Sequence, residues 1–134
     1  MKTFVLFTFF LVTGSMASGQ NLIGYKDDEI RKYMKENRKD MNFDRVTNSK
    51  FLYLKYSDNY SSQTLLFFLK TDSICKSIRI ICDESVKAEK IKEFNTAYEK
   101  ISENTWVDSH NGKAYIIKLN DDKWASIITM EPVK

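Results

Sequence analysis

Runs of β-branched, aromatic and alternating apolar and polar residues predict six β-strands in this chain. Five segments are rich in β-branched and aromatic residues and have the length of strands. A sixth, shorter strand is predicted at 106–110, because Asn111-Gly112 after it favours a type I′ hairpin turn. The five longer strands are predicted at 50–56, 64–70, 74–82, 113–119 and 124–130.

Two further segments have stripes of mainly apolar residues that recur three or four positions apart, as on one face of a helix. The first, 26–38, begins with three acidic residues, which favour the start of a helix. The second, 85–102, is predicted to begin with Ser85 as its N-cap. The two apolar stripes consist of Ile30, Tyr33, Met34 and Asn37, and of Ile91, Phe94, Tyr98 and Ile101.

A comparison of the chain with itself predicts an internal repeat. Residues 42–58 can be laid over residues 105–121 at a constant offset of 63. Each copy follows a helical pattern and precedes another apolar strand. We therefore predict two pseudo-repeats, about 24–83 and 85–131. The residues matched at this offset include Phe43 with Trp106, Asn48 with Asn111, and Lys55 with Lys118.

The order of elements predicts an α+β fold, in which two helix-plus-antiparallel-hairpin repeats form one sheet with the helices packed on one face. A two-residue turn at 121–122 would place Leu119 opposite Trp124 on the adjacent strand. Lysine seldom belongs in a core, so the face that carries the matched lysines is predicted to be open to solvent. An exposed apolar and aromatic surface is typical of a contact site. The predicted binding residues on this face are Phe51, Tyr53, Lys55, Ile116 and Lys118.

The N-terminus has the pattern of an export signal. Lys2 precedes an apolar run at 4–12, and small residues at 17–19 suit a signal peptidase. We expect cleavage between Gly19 and Gln20, which leaves one domain at 20–134. The apolar run is shorter than the ~20 residues that span a bilayer, and we expect no membrane span in the mature chain. The protein is expected in the periplasm or outside the cell.

The charge of the chain is small. Lys2 is lost with the signal, so 20 basic residues stand against 18 acidic ones, and a net charge of +2 argues against a nucleic-acid partner. No cysteine or histidine spacing suggests zinc, and no G-x-S-x-G turn accompanies His110, the only histidine. We therefore predict no catalytic residue, no metal site and no cofactor.

Cys75 and Cys82 are the only cysteines. Export would bring them into an oxidising environment, which permits a disulfide between them. On a single strand, however, residues seven apart point to opposite faces and lie about 23 Å apart, whereas a bridge needs Cα atoms within about 7 Å. The sequence favours one buried thiol and one near the surface.

Residues 23–30 resemble a helix-opening motif of small exported α+β proteins. The motif reads apolar-Gly-x-Ser/Thr-x-x-Glu-apolar there and IGYKDDEI here. The group includes the β-lactamase-inhibitory-protein family and a small lipoprotein of the barrel-assembly machinery, and the chain also resembles small exported proteins of the Bacteroidota. The resemblance implies a repeated helix-plus-hairpin architecture and protein binding through a concave sheet. Lys26 replaces the capping Ser/Thr, and the lipidated cysteine is absent.

The leading hypothesis is an exported, non-catalytic module that binds an envelope or extracellular protein on its free sheet face. The first alternative is a structural homodimer of the cell envelope that uses the same face on itself. The second is a periplasmic hydrolase that depends on His110.

Overall fold

The computed structural model describes residues 21–44, 52–60, 62–110 and 112–133. The predicted signal peptide, the cleavage residues Gly19 and Gln20, and the binding candidate Phe51 lie outside the described residues. The described chain forms two helices, α1 (Asp27–Asn37) and α2 (Glu84–Ala97). Its strands are β1 (Met41–Asp44), β2 (Tyr53–Asp58), β3 (Gln63–Leu69), β4 (Cys75–Cys82), β5 (Glu99–Ser102), β6 (Thr105–His110), β7 (Lys113–Asp121) and β8 (Ser126–Pro132).

All of these strands form one antiparallel sheet in the order β1-β2-β3-β4-β8-β7-β6-β5. Strands β1 to β4 follow one another as neighbours. Helix α2 then carries the chain from the centre of the sheet to its far edge, and β5 to β8 run back until β8 pairs with β4. A single antiparallel sheet with two helices confirms the predicted α+β class.

The helices cover one face of the sheet. Every second residue of β3 is buried and the residues between them are half-buried, and β8 shows a similar alternation. The buried set packs against Ile30 and Met34 of α1 and against Phe94 of α2. Because its side chains are buried against the helices, this face of the sheet forms the core. Burial of each such apolar side chain stabilises the fold by about 1.5–3 kcal/mol. We call the opposite face of the sheet the open face.

Helix α1 forms where the acidic residues predict it. Its N-cap is Lys26, whose backbone N–H donates to Oε1 of Glu29 at 2.9 Å. This contact satisfies one of the amide groups that the first turn of a helix leaves without a partner. The apolar stripe then places Ile30 and Met34 in the core.

Helix α2 begins earlier and ends earlier than predicted. Its N-cap is Asp83 rather than Ser85, and Tyr98 is already extended, with φ −129° and ψ 165°. The chain continues as β5, so Ile101 is exposed rather than part of a helical stripe. Asn104, with φ 58°, lies in the turn to β6. Pairing of β5 with β6 supplies the backbone hydrogen bonds that another helical turn would have made.

Strands β7 and β8 pair in a different register from the predicted one. Leu119 lies opposite Ile128 rather than Trp124, and Asp121 pairs with Ser126. The turn between them is thus four residues long, and Trp124 is 81% exposed within it. The displacement is an even number of residues, so the side chains that lie within β8 keep their predicted faces, whereas Trp124 leaves the strand.

Cys75 and Cys82 are both buried in the core, which corrects the prediction that they point to opposite faces. Ser77 pairs with Phe68, but the next residue of β3, Leu69, pairs with Cys75. One extra residue therefore bulges from β4 and turns Cys75 towards the core. Both thiols are free.

Candidate functional site

The open face carries four of the five residues that the sequence singles out for binding. Tyr53 and Lys55 lie on β2, and Ile116 and Lys118 lie on β7. Tyr53 and Ile116 are half-buried, whereas Lys118 is exposed. The fifth candidate, Phe51, lies outside the described residues.

A continuous cross-strand row connects the two lysines across the sheet. From β2 to β7 it consists of Lys55, Leu66, Arg79, Thr129 and Lys118, each paired with the next. The three cations lie on every second strand, and neighbouring strands are about 4.8 Å apart. Their backbones are therefore spaced at about 10 Å. We call Lys55, Arg79 and Lys118 the cationic row.

The three cations have different surroundings. The Nζ atom of Lys55 lies 3.5 Å from Oδ2 of Asp44 on the edge strand β1. The guanidinium carbon of Arg79 lies 5.4 Å from the centroid of the Phe68 ring. Within the described residues, neither Arg79 nor Lys118 has an ion-pair partner. Two of the three charges are thus available to a ligand, and an exposed pair such as that of Lys55 holds its cation by less than about 1 kcal/mol.

Acidic side chains of the open face lie towards its margins. Asp44 and Glu99 belong to the two edge strands, β1 and β5. Glu131 lies at the end of β8, opposite Ile116. The centre of the face is therefore left with the charges of Arg79 and Lys118, which gives it a positive potential.

Half-buried apolar side chains flank the cationic row on both sides. The rings of Tyr53 and Phe68 are cross-strand neighbours with centroids 6.1 Å apart. On the other side of the row, Ile81 is paired with Ile127. A partner that covered the row would bury these groups as well. The half-buried apolar side chains of the open face include Tyr53, Leu66, Phe68, Ile81, Val107, Ile116 and Ile127.

Arg79 and Phe68 complete the site but are missed by sequence reasoning. The strand pattern of β3 and β4 is visible in the sequence, and its alternation separates the two faces. The sequence does not reveal the register in which these two strands pair. That register places Arg79 over Phe68 and in line with Lys55. A charged residue between Ile78 and Ile80 was the available signal, since such a residue must point away from the core.

The open face offers noncovalent contacts. In the part of the chain that the structure describes, no three His, Cys, Asp or Glu side chains are grouped so as to hold a metal ion. Burial raises the pKa of the Cys75 thiol to about 12 and also raises that of Cys82, which disfavours the nucleophilic thiolate. The side chain of His110 lies outside the described part. Neither helix of that part is long and apolar enough to cross a membrane.

Protein-family models, curated proteins and solved structures were all compared with the chain, and none matches it. We therefore infer function from the side chains of the open face.

Proposed function

We propose that the protein is an exported, non-catalytic binding module that holds a protein partner on its open face. The observation that carries this proposal is the cationic row, in which Lys55, Arg79 and Lys118 follow one another on every second strand. Apolar side chains border the row on both sides. The matching partner presents acidic side chains at a similar spacing, set among apolar ones.

The two kinds of contact have different roles in binding. Burial of the apolar side chains on both sides of the cationic row supplies affinity, at roughly 25 cal/mol per Å² of apolar area removed from water. The cations steer association and fix the orientation of the partner more than they add affinity. Arg79 already rests on the ring of Phe68, so little of its side-chain freedom remains to be lost on binding.

We further infer that the sheet consists of two helix-plus-hairpin repeats. The order of one helix followed by four strands occurs twice, in α1 with β1 to β4 and in α2 with β5 to β8, and this order supports the repeat. The offset of 63 residues does not match equivalent strands, since Lys55 lies on the second strand of its half and Lys118 on the third. The resemblance to the β-lactamase-inhibitory-protein family would add that the partner is held by the sheet itself.

Export is proposed from residues 1–19, whose charged start, apolar run and small residues form the pattern of a signal peptide. The partner is then an envelope or extracellular protein. The periplasm and the extracellular space are both compatible with this pattern.

A homodimer through the open face is less compatible with its charges. An isologous dimer centred on the cationic row would set Arg79 and Lys118 of one copy against those of the other. Like charges brought together in an interface cost several kcal/mol. A different protein with acidic groups avoids this repulsion. The hydrolase alternative is tested with ester, glycoside and peptide substrates on the wild type and on His110→Ala.

The proposal is tested with a pair of charge-reversed variants. Arg79→Glu/Lys118→Glu reverses the centre of the open face, and Lys92→Glu/Lys100→Glu makes the same change of net charge at exposed lysines in and after α2. Wild-type protein is used as bait in an envelope extract. The captured protein is then purified, and its affinity for each form is measured by biolayer interferometry at low and high salt.

We expect Arg79→Glu/Lys118→Glu to weaken binding by about tenfold or more, which is 1.4 kcal/mol or more, and to remove most of its salt dependence. The control variant should bind like the wild type. Equal loss in both variants, or in neither, would overturn the proposal. Light scattering tests the homodimer alternative. A wild-type dimer that becomes a monomer in Arg79→Glu/Lys118→Glu would show that the open face binds a second copy of the chain. Circular dichroism confirms that each variant is folded.

A further inference from the structure

A cleft of about 400 Å³ opens between α1 and the edge of the sheet formed by β1 and β2. Its sheet residues Phe43 and Tyr56 are paired with each other and belong to the helix-covered face. The cleft is therefore separate from the open face. Its volume lies within the range of about 300–1,000 Å³ that is usual for small-molecule sites.

Four apolar or aromatic side chains of the described chain line the cleft. Met34 of α1, Met41 of β1 and Tyr56 of β2 are buried where they line it. Phe43 is 41% exposed, and its ring centroid lies 5.2 Å from that of Tyr56. A ligand would cover this exposed ring, and the two methionines can adapt their shape to it.

Among the residues that the structure describes, the charged side chains that line the cleft are all cations. They are Arg31, Lys35, Arg38 and Lys39. Two of them have carboxylate partners: Arg31 lies 3.7 Å from Asp27, and Arg38 donates two hydrogen bonds of 3.1 and 3.2 Å to Asp40. Each of these two pairs has no net charge, so the arginines add little to the positive potential of the cleft.

Lys35 and Lys39 are exposed and have no ion-pair partner among the residues that the structure describes. Helix α1 ends at Asn37 beside them. The C-terminus of a helix carries roughly half a negative charge. Two unpaired lysines exceed that charge, so the cleft keeps a net positive charge of about 1.5.

We propose that this cleft binds a small anionic amphiphile, a free molecule with one carboxylate head and an unbranched apolar body. Lys35 and Lys39 hold the head, while the body covers Phe43 and lies against Met34 and Met41. The cations border an open cleft of about 400 Å³ with only four apolar or aromatic side chains among the described residues of its lining, and an apolar area of this size suits a single small molecule better than a membrane. The inference goes beyond the proposed function, because it uses no residue of the open face.

The test uses decanoate as the probe. Decanol has the same apolar body without a charge, and decyltrimethylammonium has the opposite charge. Binding is followed by NMR of the methionine methyl groups, since Met34 and Met41 line the cleft and the buried Met130 of β8 does not. Titration calorimetry gives the dissociation constants.

We expect saturable binding of decanoate below its micelle-forming concentration, with shifts of the Met34 and Met41 signals and none at Met130. Decanoate should bind about tenfold or more tightly than decanol and decyltrimethylammonium. Equal binding of the three probes, shifts at Met130 alone, or no saturable binding would overturn the proposal.

Charge-reversed variants identify the cations. Lys35→Glu/Lys39→Glu should weaken decanoate about tenfold or more, whereas Lys92→Glu/Lys100→Glu should leave its affinity unchanged. Arg79→Glu/Lys118→Glu should also leave it unchanged, so that failure of this site is distinguishable from failure of the open face. A similar loss in all three variants would show a general charge effect and overturn the proposal. So would sedimentation with phosphatidylglycerol vesicles in the absence of decanoate binding, which would assign the lysines to a membrane surface.

Discussion

Trp106 and Asn95 link the second helix to the sheet through a side-chain hydrogen bond, in which Nε1 of Trp106 donates to Oδ1 of Asn95 at 2.9 Å. Trp106 is fully buried on β6, and its ring meets that of Phe94 nearly edge-on, with centroids 5.3 Å apart. The apolar contact holds α2 against the sheet, and the hydrogen bond fixes the position of the indole beneath it.

We expect Asn95→Ala to lower the free energy of unfolding by about 1 kcal/mol, because it leaves the indole N–H without its partner. Trp106→Phe removes the same hydrogen bond and also leaves a gap in the core, so its cost should be about 2 kcal/mol or more. Urea unfolding measures both.

The double variant isolates the hydrogen bond. If the bond is real, Asn95→Ala/Trp106→Phe should cost about 1 kcal/mol less than the sum of the single variants. Glu89→Ala, an exposed change on the same helix, should stay within about 0.5 kcal/mol of the wild type. Strict additivity of the two single changes would contradict the coupling.

Cys75 and Cys82 should be unreactive in the folded protein. Both are buried, and burial raises the pKa of both thiols, that of Cys75 to about 12. Dithionitrobenzoate at pH 8 is expected to modify neither cysteine until the chain unfolds, and then to modify both. Rapid reaction of one thiol in the folded state would contradict their burial. Fewer than two thiols in the unfolded, non-reduced protein would show a disulfide.

Asp40 should contribute to acid sensitivity. The hydrogen bond from Arg38 holds the pKa of the Asp40 carboxyl below its ordinary value. The unfolded carboxyl has a pKa near 3.9, so the unfolded state binds more protons just below that pH, and stability there rises with pH. The contribution is complete above about pH 5, begins to fall as the pH approaches the unfolded pKa, and is lost as pH falls through the lower folded pKa.

Thermal melting of Asp40→Asn between pH 7 and pH 2 checks this contribution. Its melting temperature should lie below that of the wild type at neutral pH, and the gap should close in acid. Arg38→Gln should show a similar closing gap, because it removes the cause of the shift. A gap that stays constant down to pH 2 would contradict the assignment.

The alternation of apolar and polar residues predicts which face of the sheet a side chain occupies better than it predicts the register in which the strands pair. Leu119 was predicted opposite Trp124 and lies opposite Ile128, because the turn after Asp121 is longer than two residues. Alternation has a period of two, so an even displacement preserves the faces. Lys55 and Lys118 therefore lie on the face that the sequence predicts for them.

Contacts between distant segments are what the sequence does not reveal. The stacking of Arg79 on Phe68 depends on how β3 pairs with β4, and the alignment of Arg79 with Lys118 depends on a strand some fifty residues later along the chain. The position at which α2 ends is also set by a contact between two segments of the chain. Ile101 continues the helical spacing, but pairing of β5 with β6 draws it into a strand.

Lys90 and Glu93 form a partly buried ion pair beside a cavity of about 30 Å³ between the helices and the sheet. Lys90 is only 5% exposed, and its Nζ lies 3.6 Å from Oε1 of Glu93. Oε2 of Glu93 is buried and has no hydrogen-bond partner among the residues that the structure describes. Removing both charges from such a pair is often neutral or stabilising, whereas removing one leaves the other uncompensated.

We therefore expect Lys90→Met alone to be destabilising, because the carboxylate of Glu93 remains. Lys90→Met/Glu93→Met should recover the stability of the wild type or exceed it by about 1–4 kcal/mol, since methionine fills similar space without a charge. Urea unfolding of the three proteins checks both expectations, with Lys92→Met as an exposed control on the same helix. A double variant less stable than the wild type would show that the ion pair is a net stabilising contact.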